Sequence, residues 1–246
     1  MDKKFLGIVI SKIDYKEKDN LINIFSADSG LLLCKLKGVK GASSKLKVLA
    51  SPFCFAEFTG VETNNRIVIT GGEVIDTFFD ITSNIEKYYA GFVVLDFVKS
   101  ILKYQNEDSG LLFQIVVNFL KTLSYTEANN RLVLIKALLD IVKVCGYSID
   151  LSNCSMCERE LNNGAYIDIL DNSVKCENCT SKKNMHLTLN QCELLKEIVK
   201  ANYENLTFDI DTKNTNELLK FVGNYIYCTF DYTIKINDLL TTYWIS

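Results

Sequence analysis

Through the first eighty residues, apolar side chains gather in short β-branched or aromatic runs that alternate with turn-forming residues. FLGIVI, LINIFSA, LLLCKLKG, FCFAEF and RIVITGG each read as a strand, with turns at Asp14, Asp28-Ser29-Gly30, Gly60 and Asn64-Asn65. About five strands in that length are enough to close a small barrel and too few for a typical sandwich, and the OB-fold is the natural barrel of this size. The single proline, Pro52, precedes a strand, where a missing N–H costs least.

Past Asp80 the apolar period becomes that of a helix. Ser83 and Glu86 are spaced as a capping box ahead of Ile85, Tyr88, Tyr89, Phe92 and Val93, which predicts a helix to about Lys103. NEDSG interrupts it. A second helix covers about Leu111 to Leu123, and a third about Ala128 to Cys145, stopped by Gly146. Thr188 and Gln191 make another capping-box pair for a helix to about Ala201, and Asn214 with Glu217 opens a last helix through Phe230. The tail DYTIKINDLLTTYWIS is apolar enough to dock rather than dangle. The pattern predicts an α+β chain in two parts, an OB-fold β-barrel over residues 1–80 and a helical domain over 81–246.

Between the third and fourth of these helices lies CSMC, then eighteen residues, then CENC. Two C-x-x-C pairs at this spacing fit a four-thiolate site, because each tight turn aims two sulfurs at one point and the second turn closes the tetrahedron. Cys154, Cys157, Cys176 and Cys179 are the expected ligands of a structural Zn2+, although iron suits the same four sulfurs. The intervening residues read as a short strand (Ala165 to Leu170), a turn at Asp171 and Asn172, and another strand, a zinc ribbon over about 150–182. The other cysteines, Cys34, Cys54, Cys145, Cys192 and Cys228, stand singly among apolar neighbours as buried reduced thiols do, which implies a reducing cytoplasm. No run approaches the length of a membrane-spanning helix, and the start lacks the form of a signal peptide.

The 246 residues carry a formal net charge of −3, so affinity for nucleic acid by bulk electrostatics is excluded and a local patch is required. One exists. From Ser29 to Ala56 there are five lysines, Lys35, Lys37, Lys40, Lys45 and Lys47, and no acidic residue. Lys35 and Lys37 alternate on a strand, and Gly38, Gly41, Ala42, Ser43 and Ser44 form a small-residue loop whose backbone can approach phosphates. Ammonium groups on an OB barrel are how single strands are held with little sequence preference. Phe25, Phe53, Phe55 and Phe58 are available to stack bases, but their strand spacing favours the core. A second basic set lies on the third helix, where Arg131, Lys136 and Lys143 accompany Leu139; an apolar groove rimmed by lysines would suit an acidic peptide with a hydrophobic end. Catalytic strings such as G-x-S-x-G, Walker A, G-x-G-x-x-G and H-E-x-x-H are absent, and the sole histidine, His186, sits in a polar loop. The chain therefore reads as a binding protein and not an enzyme.

Four stretches resemble the bacterial RecO family, the recombination mediators of DNA repair. They are GIVISKIDYKEKDN with KGVKGASSKL and SPF, then GGEVIDTFFDITSNIEKYYAGFVVLDFV, then LLDIVKVCGYSIDLSNCSMC, and finally INDLLTTYWI. The pattern departs from that family at Glu158, where a glycine commonly follows the second cysteine. It departs also at Ser148 in place of a frequent proline, in LDNSVKC without the usual glycine pair, and in a charged loop built from lysine alone. The resemblance implies binding of single- and double-stranded DNA, annealing of complementary strands, and work with RecR to load RecA onto DNA coated with single-strand binding protein. It also implies capture of the acidic C-terminal tail of that protein by the helical domain, mapped here to Arg131, Lys136, Leu139 and Lys143, and a cytoplasmic, nucleoid-associated location. The competing expectation is a protein–protein adaptor of the same architecture with little DNA affinity.

Overall fold

The computed structural model describes residues 2–39, 41, 46–63, 66–104, 108–168, 173–180, 185–208 and 210–234. Strands β1 (Asp2–Tyr15), β2 (Asp19–Ser26), β3 (Gly30–Leu36), β4 (Phe55–Thr63) and β5 (Arg66–Asp76) close into a barrel in the order β1-β2-β3-β5-β4. All neighbours are antiparallel except β3 and β5, which run parallel. The long β1 serves two partners, β4 through its first half and β2 through its second, and a register shift between Val9 and Ser11 bends it around the corner.

Side-chain alternation sorts the strands into an inner and an outer face. Val9, Ile22, Ile24, Cys34, Leu36 and Phe58 fill the barrel, each fully buried, and burial of such a side chain contributes about 1.5–3 kcal/mol. Burial also drives the Cys34 thiol up to about 12 and the Cys54 thiol up to about 11, so both stay protonated. Gly60, expected in a turn, lies inside β4, because a Cβ there would come within 2.8 Å of Ile67 Cγ2 and 2.9 Å of the Val68 carbonyl. Phe25, Phe53 and Phe58 belong to the core, and half-buried Phe55 packs on Phe113 with ring centroids 5.8 Å apart. None of the four is open for stacking.

A short α1 (Phe79–Ser83) leads into α2 (Ile85–Tyr104) and α3 (Ser109–Tyr125). The expected box at Ser83 does not form. Ser83 instead closes α1 by donating to the Asp80 carbonyl, and Asn84 Oδ1 accepts from Lys87 N–H at 3.1 Å to start α2. Residues 1–124 form one compact unit and residues 125–246 a second.

The second unit is built on α4 (Asn130–Val144), which packs against α5 (Leu189–Lys200) and α6 (Thr212–Phe230). Asn129 caps α4 through Arg131 N–H, and the Thr188–Gln191 box forms in both directions at the start of α5. For α6 the cap is Asp211, which accepts from Asn214 N–H at 2.8 Å, three residues ahead of the expected start. From Leu132 to Leu139 every side chain of α4 is buried, so this helix is core on all sides rather than amphipathic. Strands β6 (Ala165–Asp168), β7 (Ser173–Lys175) and β8 (Met185–Leu187) form a small sheet in the order β7-β6-β8 beside the cysteine knuckles. The sequence pattern does not point to the third of these strands, where it reads as a polar loop around His186.

Candidate metal centre and nucleic-acid interface

Each knuckle closes by a tight turn. Glu158 N–H donates to the Cys154 carbonyl at 2.8 Å, and Cys179 N–H to the Cys176 carbonyl at 3.0 Å. The four sulfurs then lie within 4.8 Å of one another, and Cys157 Sγ is 3.8 Å from Cys176 Sγ. A tetrahedron with metal–sulfur bonds of about 2.3 Å has edges of about 3.8 Å, so this donor set fits a four-thiolate ion with no position left open. Burial works most strongly against the Cys154 thiolate, yet N–H groups of Cys176, Cys157 and Met156 together bring that thiol down to about 6. Cys179 is pushed up to about 12, chiefly by hydrogen bonds to Cys176 and Cys157, which is the proton-sharing that a cation would displace. The Arg159 guanidinium bonds Cys157 and offsets the negative charge of the cluster. Glu158 holds φ +58°, the left-handed conformation that a glycine adopts without strain. His186 lies outside the four-sulfur group, on β8, with its ring 4.7 Å from Tyr166. Asp168 pairs with Lys175 at 2.8 Å across the sheet. Of the lone cysteines, Cys34, Cys54, Cys145 and Cys192 are buried as expected, whereas Cys228 is exposed.

On the barrel, the outer face of β1, β2 and β3 remains open at one end. Ile13 and Leu33 are 56% and 47% exposed there, with Leu21 and Tyr15 half-covered beside them. Leu21 stands between Ile13 and Lys35 in the register, so all three point outward together. Lys37 follows the end of β3, is exposed, and makes no ion pair among the described residues. Lys47 is exposed at the start of a short 3-10 turn (Val48–Ala50); Lys40 and Lys45 lie outside the described residues.

Lys35 is not free. Its ammonium sits 2.8 Å from Asp19 Oδ2 and 5.0 Å from the centroid of the Tyr15 ring. Asp19 Oδ1 meanwhile accepts from Gly38 N–H at 3.0 Å, and Gly38 has φ +64°. The Lys35 hydrogen bond first, then that of Gly38, holds the Asp19 carboxyl below the usual carboxylate range. Tyr15, Lys16 and Asp19 therefore belong to this face, although the local charge pattern did not point to them. The lysine run is free of acid in sequence, but pairing β2 with β3 brings an acidic turn against it.

In the second unit, α4 and α5 enclose a groove. Leu139, Val142, Leu195 and Val199 form its apolar floor, with Lys143, Lys196 and Lys200 around it and Asp150 also on its wall. Leu139 and Lys143 are thus where the sequence put them. Lys196 and Lys200 were missed, though their i, i+4 spacing on a capped helix was a usable signal. Lys136 is elsewhere: only 5% exposed, it reaches Asp140 Oδ2 at 3.2 Å and the Val199 carbonyl at 3.3 Å, over the Tyr203 ring. Tyr203 OH donates to the same carboxylate at 2.9 Å. Arg131 stands in the first turn of α4, about 18 Å along the axis from Lys143. Among the described residues no helix is long and apolar enough to cross a membrane.

Comparison with known proteins agrees with this architecture part by part. Residues 1–78 match the family model for the N-terminal part of recombination protein O, and residues 82–231 match that for its C-terminal part. The chain is 23% identical to the DNA repair protein RecO of Caldicellulosiruptor saccharolyticus over 239 residues, 96% of either chain. With the protein of that name from Acetivibrio thermocellus it shares 24% over 226 residues, covering 91% of this chain and 90% of the relative. A five-stranded barrel, a helical region and a four-cysteine cluster occupy the matched segments in order, and the chain belongs to the RecO family.

Proposed function

We propose that this protein is a DNA repair and recombination mediator that binds single- and double-stranded DNA, anneals complementary strands and, with RecR, helps load RecA onto DNA coated by single-strand binding protein. The open outer face of β1–β3, where lysines flank apolar and tyrosine side chains, is the observation that carries this reading. Lys35, Lys37, Lys40, Lys45 and Lys47, joined by Lys16 and Tyr15, are assigned to DNA. Their ammonium groups neutralise phosphates and release counterions, while the pairing edges of the bases stay open for annealing. This is binding without covalent chemistry, carried out in the cytoplasm on the nucleoid. The functional division falls near residue 80, between a nucleic-acid-binding barrel and a helical domain.

The groove between α4 and α5 suits the acidic C-terminal tail of single-strand binding protein, with apolar residues on the floor and Lys143, Lys196 and Lys200 for the carboxylates. The cysteine cluster is assigned a structural Zn2+; bound there, the ion cross-links the two knuckles and braces the helical domain. Replacing Lys37, Lys40 and Lys45 together by glutamate tests the DNA assignment. Loss of oligonucleotide binding with an unchanged melting temperature supports it, and unaltered binding at physiological salt refutes it. The adaptor reading draws its one support from Asp19, which occupies Lys35 and lowers the charge of the face.

A further inference from the structure

The Asp19 carboxylate holds two donors at once, an ammonium at 2.8 Å and a backbone N–H at 3.0 Å. That combination of a cation with the N–H of a residue at positive φ is what phosphate oxygens take in backbone anion sites. The pair is three-quarters or more covered, with side-chain exposures of 18% for Lys35 and 17% for Asp19. It lies beside Tyr15, whose ring faces the Lys35 ammonium, and at the root of the glycine-rich loop. A carboxylate carries the charge and oxygen geometry of a phosphate edge but is tethered to β2, so it fills the site whenever DNA is absent.

We propose that Lys35 Nζ and Gly38 N–H form a phosphate subsite for single-stranded DNA, and that Asp19 occupies it in the free protein and thereby restrains affinity. This rests on the assignment of the barrel face to DNA and adds a residue that opposes binding. In the resting protein Lys35 contributes almost nothing to the grip on the backbone, because each phosphate has to displace a carboxylate already in place. Removing the carboxylate charge makes one more phosphate contact available. One contact on single strands is worth about 0.7 in the slope of log K against log salt, or roughly fivefold in affinity at 0.1 M salt.

The test is fluorescence anisotropy of a labelled oligothymidylate with the full chain, from about 50 to 200 mM salt. Four proteins are compared: wild type, Asp19→Asn, Lys35→Gln and the double variant. Asp19→Asn keeps an acceptor for Gly38 N–H, and is expected to bind about fivefold more tightly with a slope steeper by about 0.7. Lys35→Gln alone should cost less than about twofold, yet should erase the whole gain when added to Asp19→Asn. Equal or weaker binding by Asp19→Asn overturns the proposal, as does a loss of about fivefold or more from Lys35→Gln in the wild-type background. That second criterion holds even if Asp19→Asn fails to fold. If wild type and Asp19→Asn both ignore the oligonucleotide across the salt range, the assignment of the face to DNA falls as well.

Discussion

Lys136→Met should damage the fold without touching partner recognition. The Lys136 side chain is 7% exposed and that of Asp140 20%, and the ammonium also serves the Val199 carbonyl at 3.3 Å. Methionine fills the same volume but leaves the Asp140 carboxylate, among the described residues, with Tyr203 OH as its one close donor. Breaking a fully buried pair from one side costs about 3–5 kcal/mol, and a carboxylate one-fifth open to water recovers part of that, so the expected loss is about 2–3 kcal/mol. At about 2–4 °C per kcal/mol for a chain of this size, the melting temperature should fall by about 5–10 °C. Urea denaturation of wild type, Lys136→Met and Lys136→Met/Asp140→Asn reads the effect. The double variant removes both charges while its amide still accepts from Tyr203, and should return to within about 1 kcal/mol of wild type. A single variant within about 0.5 kcal/mol of wild type, or a double variant no better than the single, would refute the reasoning. Binding of an acidic, hydrophobic-ended peptide should be unchanged in Lys136→Met and lost in Lys143→Glu/Lys200→Glu.

Three other outcomes follow from the same geometry. Cys176→Ser, or chelation of the metal, should lower the melting temperature by about 10 °C or more. Elemental analysis should find one zinc per chain in the wild type; undiminished stability with no metal would show the cluster to be idle. Glu158→Gly should raise the melting temperature slightly by relieving about 1 kcal/mol of left-handed strain, whereas Glu158→Val should lower it. The Asp211 carboxyl is held below its usual range, first by Asn214 N–H and then by that residue's side chain. Its capping contribution is therefore complete above the ordinary carboxylate range and is lost as pH falls through its depressed folded value. The melting-temperature gap between wild type and Asp211→Ala should be constant near neutrality and close below about pH 4; a gap that widens in acid contradicts the assignment.

The barrel was legible because its strands are short apolar runs whose inward positions are mostly apolar, as Ile22, Ile24, Cys34 and Leu36 show. The cysteine centre was legible because both halves of the donor set are local in sequence and the chain between them only has to return. The lysine face was legible in part. Asp19 lies sixteen positions before Lys35, and only the β2–β3 register brings them together. Charge counted along a segment therefore overstated the charge on the surface. Lys136 was misplaced for a related reason. Its companions Leu139 and Lys143, at i+3 and i+7, suggested the rim of a groove, but every side chain from Leu132 to Leu139 is buried and Lys136 is drawn in to Asp140 and the Val199 carbonyl. The α2 and α6 starts moved by one to three residues because equally good caps stood close to the chosen ones, Asn84 one residue after Ser83 and Asp211 three before Asn214.

The central claim is that lysines on one barrel face of a mildly anionic protein grip nucleic-acid phosphates. Its most direct test is the salt dependence of oligothymidylate binding by the wild-type chain. With Lys16, Lys37, Lys40, Lys45 and Lys47 engaged and Lys35 held by Asp19, log K against log salt should fall with a slope of about −3.5. A flat line, or no binding at about 50 mM salt, would contradict it and leave the adaptor reading in its place.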